Sequence, residues 1–253
     1  MAKKKLANRK KRSAAKVLVL RTCSKDLTGH GGFQWPASGP VKCSDWSPAA
    51  ECGHGLHALL WGEGNGELVS WDPHSKWLVV EVDAADIVAI GSDKVKFPRG
   101  EVVHCGDQKS ATEYLAAHGA AGRAIVGGTA AAGYGGTAAA GYRGTATAGY
   151  RGTATAGDRG TATAGYSGTA AAGYSGTATA GDRGTATAGY SGTATAGYRG
   201  PATAGCRGTI LLKWWDESTG RYRIAVGNVG ENGIGPHKKY RVEGKGNLVK
   251  VQS

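Results

Sequence analysis

"GTATAGYRGTATAGDRGTATAGYSG", residues 144 to 168, repeats itself every eight residues. Ten consecutive octads run from Gly128 to Arg207, each close to G-T-A-[TA]-A-G-[YDC]-[RSG], and an eleventh begins at Gly208 before the chain turns into TILLKWW. A strict short period marks a solenoid, in which each repeat buries its apolar side against its neighbours. Within an octad T-A-T-A alternates as a strand does, Thr to one face and Ala to the other, while G-Y-R-G carries the residues of a tight turn. Eight residues supply one strand and one corner, so two octads are the least that closes a flattened coil, and ten octads make five coils. With strands about 4.8 Å apart the stack is about 24 Å long.

The alanines at octad positions three and five point inward, where two sheets approach closely. The threonines point outward as ladders whose β-branched side chains support the strands: Thr145, Thr147, Thr153, Thr155, Thr161, Thr163, Thr177, Thr179, Thr185, Thr187, Thr193 and Thr195. The seventh position holds Tyr134, Tyr142, Tyr150, Tyr166, Tyr174, Tyr190 and Tyr198, with Asp158, Asp182 and Cys206 in the remaining octads. An Asp in a dry core costs several kcal/mol, so this position belongs to an exposed corner, where tyrosines of successive coils stack. The eighth position supplies Arg143, Arg151, Arg159, Arg183, Arg199 and Arg207 to the same corner. The expected surface is therefore a mixed Tyr/Arg ladder, with the two aspartates relieving repulsion between arginines.

The octad AGYRGTATAGD resembles the octapeptide repeats of bacterial ice-nucleation proteins, with their Ala-Gly-Tyr corner and Thr-x-Thr strand. The resemblance implies a β-solenoid with outward Thr-x-Thr rows, of the kind ice-binding proteins present to the ice lattice. The octads beginning at Gly128, Gly136 and Gly168 depart from it, reading GTAAAGY without the second Thr.

Residues 17–127 are a different material, holding five of the seven tryptophans and strand-like runs at KVLVLRTC, KWLVVEVD, DIVAI, KVKFP and EVVHC. DQKSATEYLAAHG has helix features, with Asp107 as N-cap and Gly119 as stop. An α+β domain follows, and its pattern GFQWP, GLHALLWGEG and WLVVEVDA resembles an uncharacterised domain of bacterial and phage proteins. Cys43, Cys52, His54 and His57 are ligand types that suit Zn²⁺, at a spacing that fits no common finger. Arg21, His30, His57, Glu81 and Glu101 are the candidate set for a transferase or hydrolase pocket. Residues 208–253 read as a β cap, with a hairpin around D-E-S-T-G and with Trp214 and Trp215 placed to cover the last coil.

The chain of 253 residues carries a net charge of +12, distributed as +8 over residues 1–16, −4 over 17–127, +4 over 128–207 and +4 over 208–253. Lys3, Lys4, Lys5, Arg9, Lys10, Lys11, Arg12 and Lys16 repel one another, so residues 1–16 read as a disordered basic arm that contacts nucleic acid or another polyanion by counterion release. No apolar segment long enough for a signal peptide or membrane span follows them, which points to a cytoplasmic protein of a bacterial or phage-infected cell. Five irregularly spaced cysteines give no disulfide framework.

The class is thus mainly β: a ten-octad solenoid between an N-terminal α+β domain and a C-terminal β cap. The sequence favours a non-enzymatic structural or binding protein, phage-associated and self-associating, that presents Thr, Tyr and Arg rows to a partner. Ice binding through the Thr-x-Thr rows is the first alternative, and an enzyme within residues 17–127 is the second.

Overall fold

The computed structural model describes residues 15–92 and 94–252; the basic residues Lys3 to Arg12 lie outside them. Lys16, counted above with the basic arm, instead opens a strand and forms an ion pair with Asp83 at 3.0 Å.

The N-terminal part is an antiparallel sheet built from β1 (Lys16–Cys23), β2 (Gly39–Lys42), β3 (Leu56–Leu60), β4 (Lys76–Asp83), β5 (Val88–Ile90), β6 (Lys94–Phe97) and β7 (Arg99–Gly106), in the order β2-β7-β4-β1-β3-β6-β5. Its strands alternate with period two, so each builds two cores. Leu18, Leu20, Trp77 and Val79 face the helix α1 (Gln108–Leu115), whose Ala111 and Leu115 are fully buried against them. Val19, Leu78, Val80 and Val82 face the other way, toward Trp35, Phe97 and Val102. Asp107 caps α1 as its sequence position suggests, its Oδ1 accepting from the Ser110 amide at 2.8 Å. Two strands have weak sequence signals: β2 contains Pro40 and survives because it lies at the sheet edge, and β3 is a five-residue apolar run between glycines.

The repeats form short parallel strands: β8 (Thr129–Ala132), β9 (Thr137–Ala140), β10 (Thr145–Ala148), β11 (Thr153–Ala156), β12 (Thr161–Ala164), β13 (Thr169–Ala172), β14 (Thr177–Ala180), β15 (Thr185–Ala188), β16 (Thr193–Ala196) and β17 (Ala202–Ala204). Each strand pairs with the strand two octads along the chain, Thr145 with Thr161 and Ala146 with Ala162, without a register slip. The even-numbered strands make one sheet and the odd-numbered strands the other, giving a β-solenoid of five coils. Between the sheets lies a column of alanines, with Ala146, Ala154, Ala162, Ala170, Ala178, Ala186 and Ala194 all fully buried. Methyl groups suffice because the two sheets stand close together.

Each sheet ends in a hairpin. β18 (Thr209–Asp216) continues the even sheet in parallel and turns back as β19 (Arg221–Asn228), while β20 (Lys239–Glu243) closes the odd sheet antiparallel and pairs with β21 (Asn247–Lys250). Ile210 and Leu212 fall in register with Ala194 and Ala196 and, with Ile234 and Tyr240, fill the widened end of the core. Trp215 does not cover that end as expected. Strand alternation turns Trp215 outward, where it is 40% exposed against Tyr222, and the Trp214 ring rests by Gly246.

Candidate functional site

Strand alternation that buries every alanine leaves the threonines outward on two flat faces, which differ. On the even face, Thr129, Thr145, Thr161, Thr177 and Thr193 form one row, and the parallel row reads Ala131, Thr147, Thr163, Thr179 and Thr195. Four successive coils there present complete Thr-x-Thr pairs. On the odd face, Thr137, Thr153, Thr169 and Thr185 lead to Pro201, and the second row reads Ala139, Thr155, Ala171, Thr187 and Thr203. Ala171 therefore separates its two complete pairs, on β11 and β15.

The corners follow from close stacking. The Gly144 amide donates to the Gly141 carbonyl at 3.0 Å, closing a turn with Tyr142 and Arg143 at its centre, and the Arg143 amide donates to the Asp158 backbone carbonyl of the next coil at 2.8 Å. A side chain at Gly157 would put its Cβ 2.8 Å from the Gly141 carbonyl carbon, so the glycine answers to the neighbouring coil. The left-handed residue is the one in position eight: Arg143, Arg151, Arg159, Arg183, Arg199 and Arg207 have φ between 53° and 62°. Sequence reasoning missed this, because glycine is the usual sign of positive φ.

All six arginines are exposed, as are Tyr134, Tyr150, Tyr166, Tyr174 and Tyr190. Tyr134, Tyr150 and Tyr166 stack at centroid spacings of 5.2 and 5.3 Å, and Tyr174 stacks on Tyr190 at 5.4 Å. Where the seventh residue is not Tyr, the following Arg takes over the stack. Arg159 after Asp158 lies 5.8 Å over Tyr142, Arg183 after Asp182 lies 5.7 Å over Tyr166, and Arg207 after Cys206 lies 5.7 Å over Tyr190, each one coil back. The columns thus run on through guanidinium layers, a favourable cation–π arrangement. Arg151 and Arg199 cover their own neighbours Tyr150 and Tyr198. The columns also reach the flanking parts: Trp71 packs on Tyr142 at 5.7 Å with Arg143 over it, and Tyr222 meets Tyr198 at 5.6 Å. The aspartates have a backbone role as well, since Asp158 Oδ1 accepts from the Tyr174 amide at 2.7 Å and Asp182 Oδ1 from the Tyr198 amide at 2.8 Å. The cation nearest Asp182 is Lys213, at 3.7 Å.

The zinc candidates do not form a ligand set. Cys43 is buried and its thiol donates to the Pro98 carbonyl, Cys52 is exposed, and His54 lies 3.6 Å from Asp45. Among the described residues no three His, Cys, Asp or Glu side chains gather as a metal group requires. Of the proposed enzymatic set, Arg21, His30 and His57 line one cleft. Glu81 and Glu101 do not join them: they pair across β4 and β7 on the opposite face of the sheet, where Glu81 lies 3.7 Å from Lys16.

Residues 17–117, less than half of the chain, match the family model described as a domain of unknown function, DUF7666. Ice nucleation protein InaU of Pantoea ananas is 42% identical over 104 residues, 41% of this chain and 10% of that protein. The ice nucleation protein of Pseudomonas fluorescens is 44% identical over 101 residues, 40% of this chain and 8% of its own length, and that of Xanthomonas campestris pv. translucens is 38% identical over 104 residues, 41% and 7%. The relatives are ice nucleation proteins. The chain spans a tenth or less of these three proteins. No solved structure matches. The resemblance drawn from the octads is thereby upheld, and none of these relatives is named as an enzyme. The cytoplasmic placement is overturned, because ice nucleation proteins are surface proteins anchored at the outer membrane. That placement rested on the lack of an apolar span, which is a weak guide to location. Among the described residues no helix is long and apolar enough to cross a membrane.

Proposed function

We propose that the solenoid is an ice-binding scaffold and that its even face is the contact surface. The observation that carries this reading is the double row of Thr-x-Thr on β10, β12, β14 and β16, held in register over four coils. Rows about 4.8 Å apart across the strands, with like side chains about 6.8 Å apart along each strand, make a fixed two-dimensional lattice of hydroxyls and methyls. A β-branched side chain has few rotamers, so the lattice is preorganised and loses little entropy when water orders on it. The similarity to ice nucleation proteins supports the same reading.

Thermal hysteresis and partitioning of the protein into growing ice test it. The pair Thr163→Lys and Thr179→Lys should abolish both signals, whereas Thr155→Lys with Thr187→Lys on the odd face should retain most of them. Equal loss from the two pairs, or no hysteresis in the parent protein, would sink the assignment of the face.

A second reading has its own support in the exposed, stacked Tyr/Arg corners. These ladders suit a partner that offers aromatic or anionic groups, including another solenoid or a polyanion.

A further inference from the structure

We propose that the cleft beside β1 and β3 binds a small organic anion bearing a carboxylate or a phosphate monoester, with Arg21, Trp35 and His57 as its recognition groups. The cleft has a volume of about 790 Å³, within the range of small-molecule sites and too large for a lone inorganic ion. It lies far in sequence from the octads and takes no part in the ice-binding reading.

Three polar atoms shielded from solvent have no hydrogen-bond partner within the described chain, and they belong to three residues lining this one cleft: Arg21 Nε, Trp35 Nε1 and His57 Nε2. Buried polar groups are nearly always paired, so a cluster of three has a cause. The Trp35 side chain is 2% exposed. The guanidinium of Arg21 is fixed from two sides, its Nη1 donating to the His57 carbonyl at 2.7 Å and its carbon lying 4.8 Å over the Trp35 ring. Neither neighbour neutralises it, and among the described residues no carboxylate pairs with it. Among the described residues Asp45 is the one carboxylate lining the cleft, and it lies 3.6 Å from His54. Arg21 and Lys94 therefore leave the lining with an excess of positive charge. Burial first, and then the nearby Lys94, Arg21 and Lys96, hold the His57 imidazole below its ordinary pKa.

Gly29 packs at the edge of this wall, directly against two of the donors. A methyl group at Gly29 would stand 2.7 Å from Trp35 Nε1 and 3.0 Å from Arg21 Nη2, so any side chain there displaces both groups. A planar or tetrahedral oxyanion in the cleft has the Arg21 guanidinium and the Trp35 indole N–H on one wall, a charge-assisted arrangement. Phe33, partly exposed and edge-on to Trp35, leaves aromatic surface for the rest of the molecule.

Indole ¹H–¹⁵N resonances of the full chain test the proposal, with the Trp35 signal assigned through Trp35→Phe. The probes are inorganic phosphate, acetate, benzoate and adenosine monophosphate, each against sodium chloride of equal ionic strength. The expected result is a saturable shift of the Trp35 indole and a raised Tm with at least one of the two organic probes. Acetate against phosphate separates the carboxylate from the phosphate source. Gly29→Ala and Lys94→Met should each weaken binding about tenfold or more, as loss of a buried or steering contact to an anion does, and Arg21→Met should remove it. If Arg21→Met does not fold, the first two variants decide. The proposal is overturned if no probe shifts the Trp35 indole beyond the chloride control, or if both Gly29→Ala and Lys94→Met bind as the parent does.

Discussion

The solenoid and the sheet that precedes it fill their interiors in opposite ways. The sheet buries Leu, Val, Phe and Trp side chains of unequal shape on two faces and needs α1 to cover one of them. The solenoid buries the same methyl group coil after coil and needs no helix, because its two faces cover each other. One interior has volume to lose and the other has none to gain. The sheet should therefore be sensitive to truncation, and the solenoid to enlargement.

Leu78→Ala gives the largest expected effect. The side chain is fully buried between β1 and β7, and a cavity there costs about 2–5 kcal/mol, read as a lower midpoint for the sheet's transition in urea. A cost below about 1 kcal/mol would mean that the sheet collapses around the gap as freely as a liquid does, contrary to close packing. Next comes Ala162→Leu, which forces a larger side chain between sheets held at methyl distance and should cost about 1–3 kcal/mol or more. An unchanged Tm would erase the contrast between the two interiors. Asp182→Ala is smaller: it strips the acceptor from the Tyr198 amide in a corner and should cost about 1 kcal/mol, while Asp182→Asn retains most of the stability. The smallest effect belongs to Arg151, Arg183 and Arg199 changed together to Ser. Exposed substitutions stay within about 0.5 kcal/mol each, so circular dichroism should report an intact solenoid, while binding to any anionic partner through the corners weakens. A large loss of stability instead would make the guanidinium layers part of the packing that holds the coils together.

The contrast also explains what could be read from the sequence. An eight-residue period over ten octads states strand, corner and pairing interval at once, so inward alanines and outward threonines follow from alternation alone. That the eighth-position residue turns left-handed is less legible, because Arg and Ser carry no signature of it and the glycines beside them are present for another reason. In the sheet, β1 and β4 declare themselves through long β-branched runs, whereas β2 hides behind Pro40. The cleft was half visible. Chemistry alone brings Arg21, His30 and His57 together, but it brings Glu81 and Glu101 with them, because residue type does not reveal sides. Glu81 alternates with Val80 and Val82, and those two valines share the core of Trp35, so Glu81 projects from the other face. Trp35 had no polar signal at all; its unpaired indole emerges only once Arg21 is laid across it.

The pairing interval of sixteen residues, Thr145 with Thr161, bears on how such a gene can change. Tandem coding repeats are gained and lost by slippage during replication, and the simplest event here adds or deletes one octad. That event would exchange the faces for every strand downstream, carrying complete Thr-x-Thr pairs from one side of the molecule to the other. It would also deliver β18, with Ile210 and Leu212, to the sheet that β20 now closes. Slippage by sixteen codons leaves both faces and both closing hairpins where they were. Lineages of this protein should therefore differ in length by even numbers of octads, and an odd count should travel with a rebuilt C-terminal end.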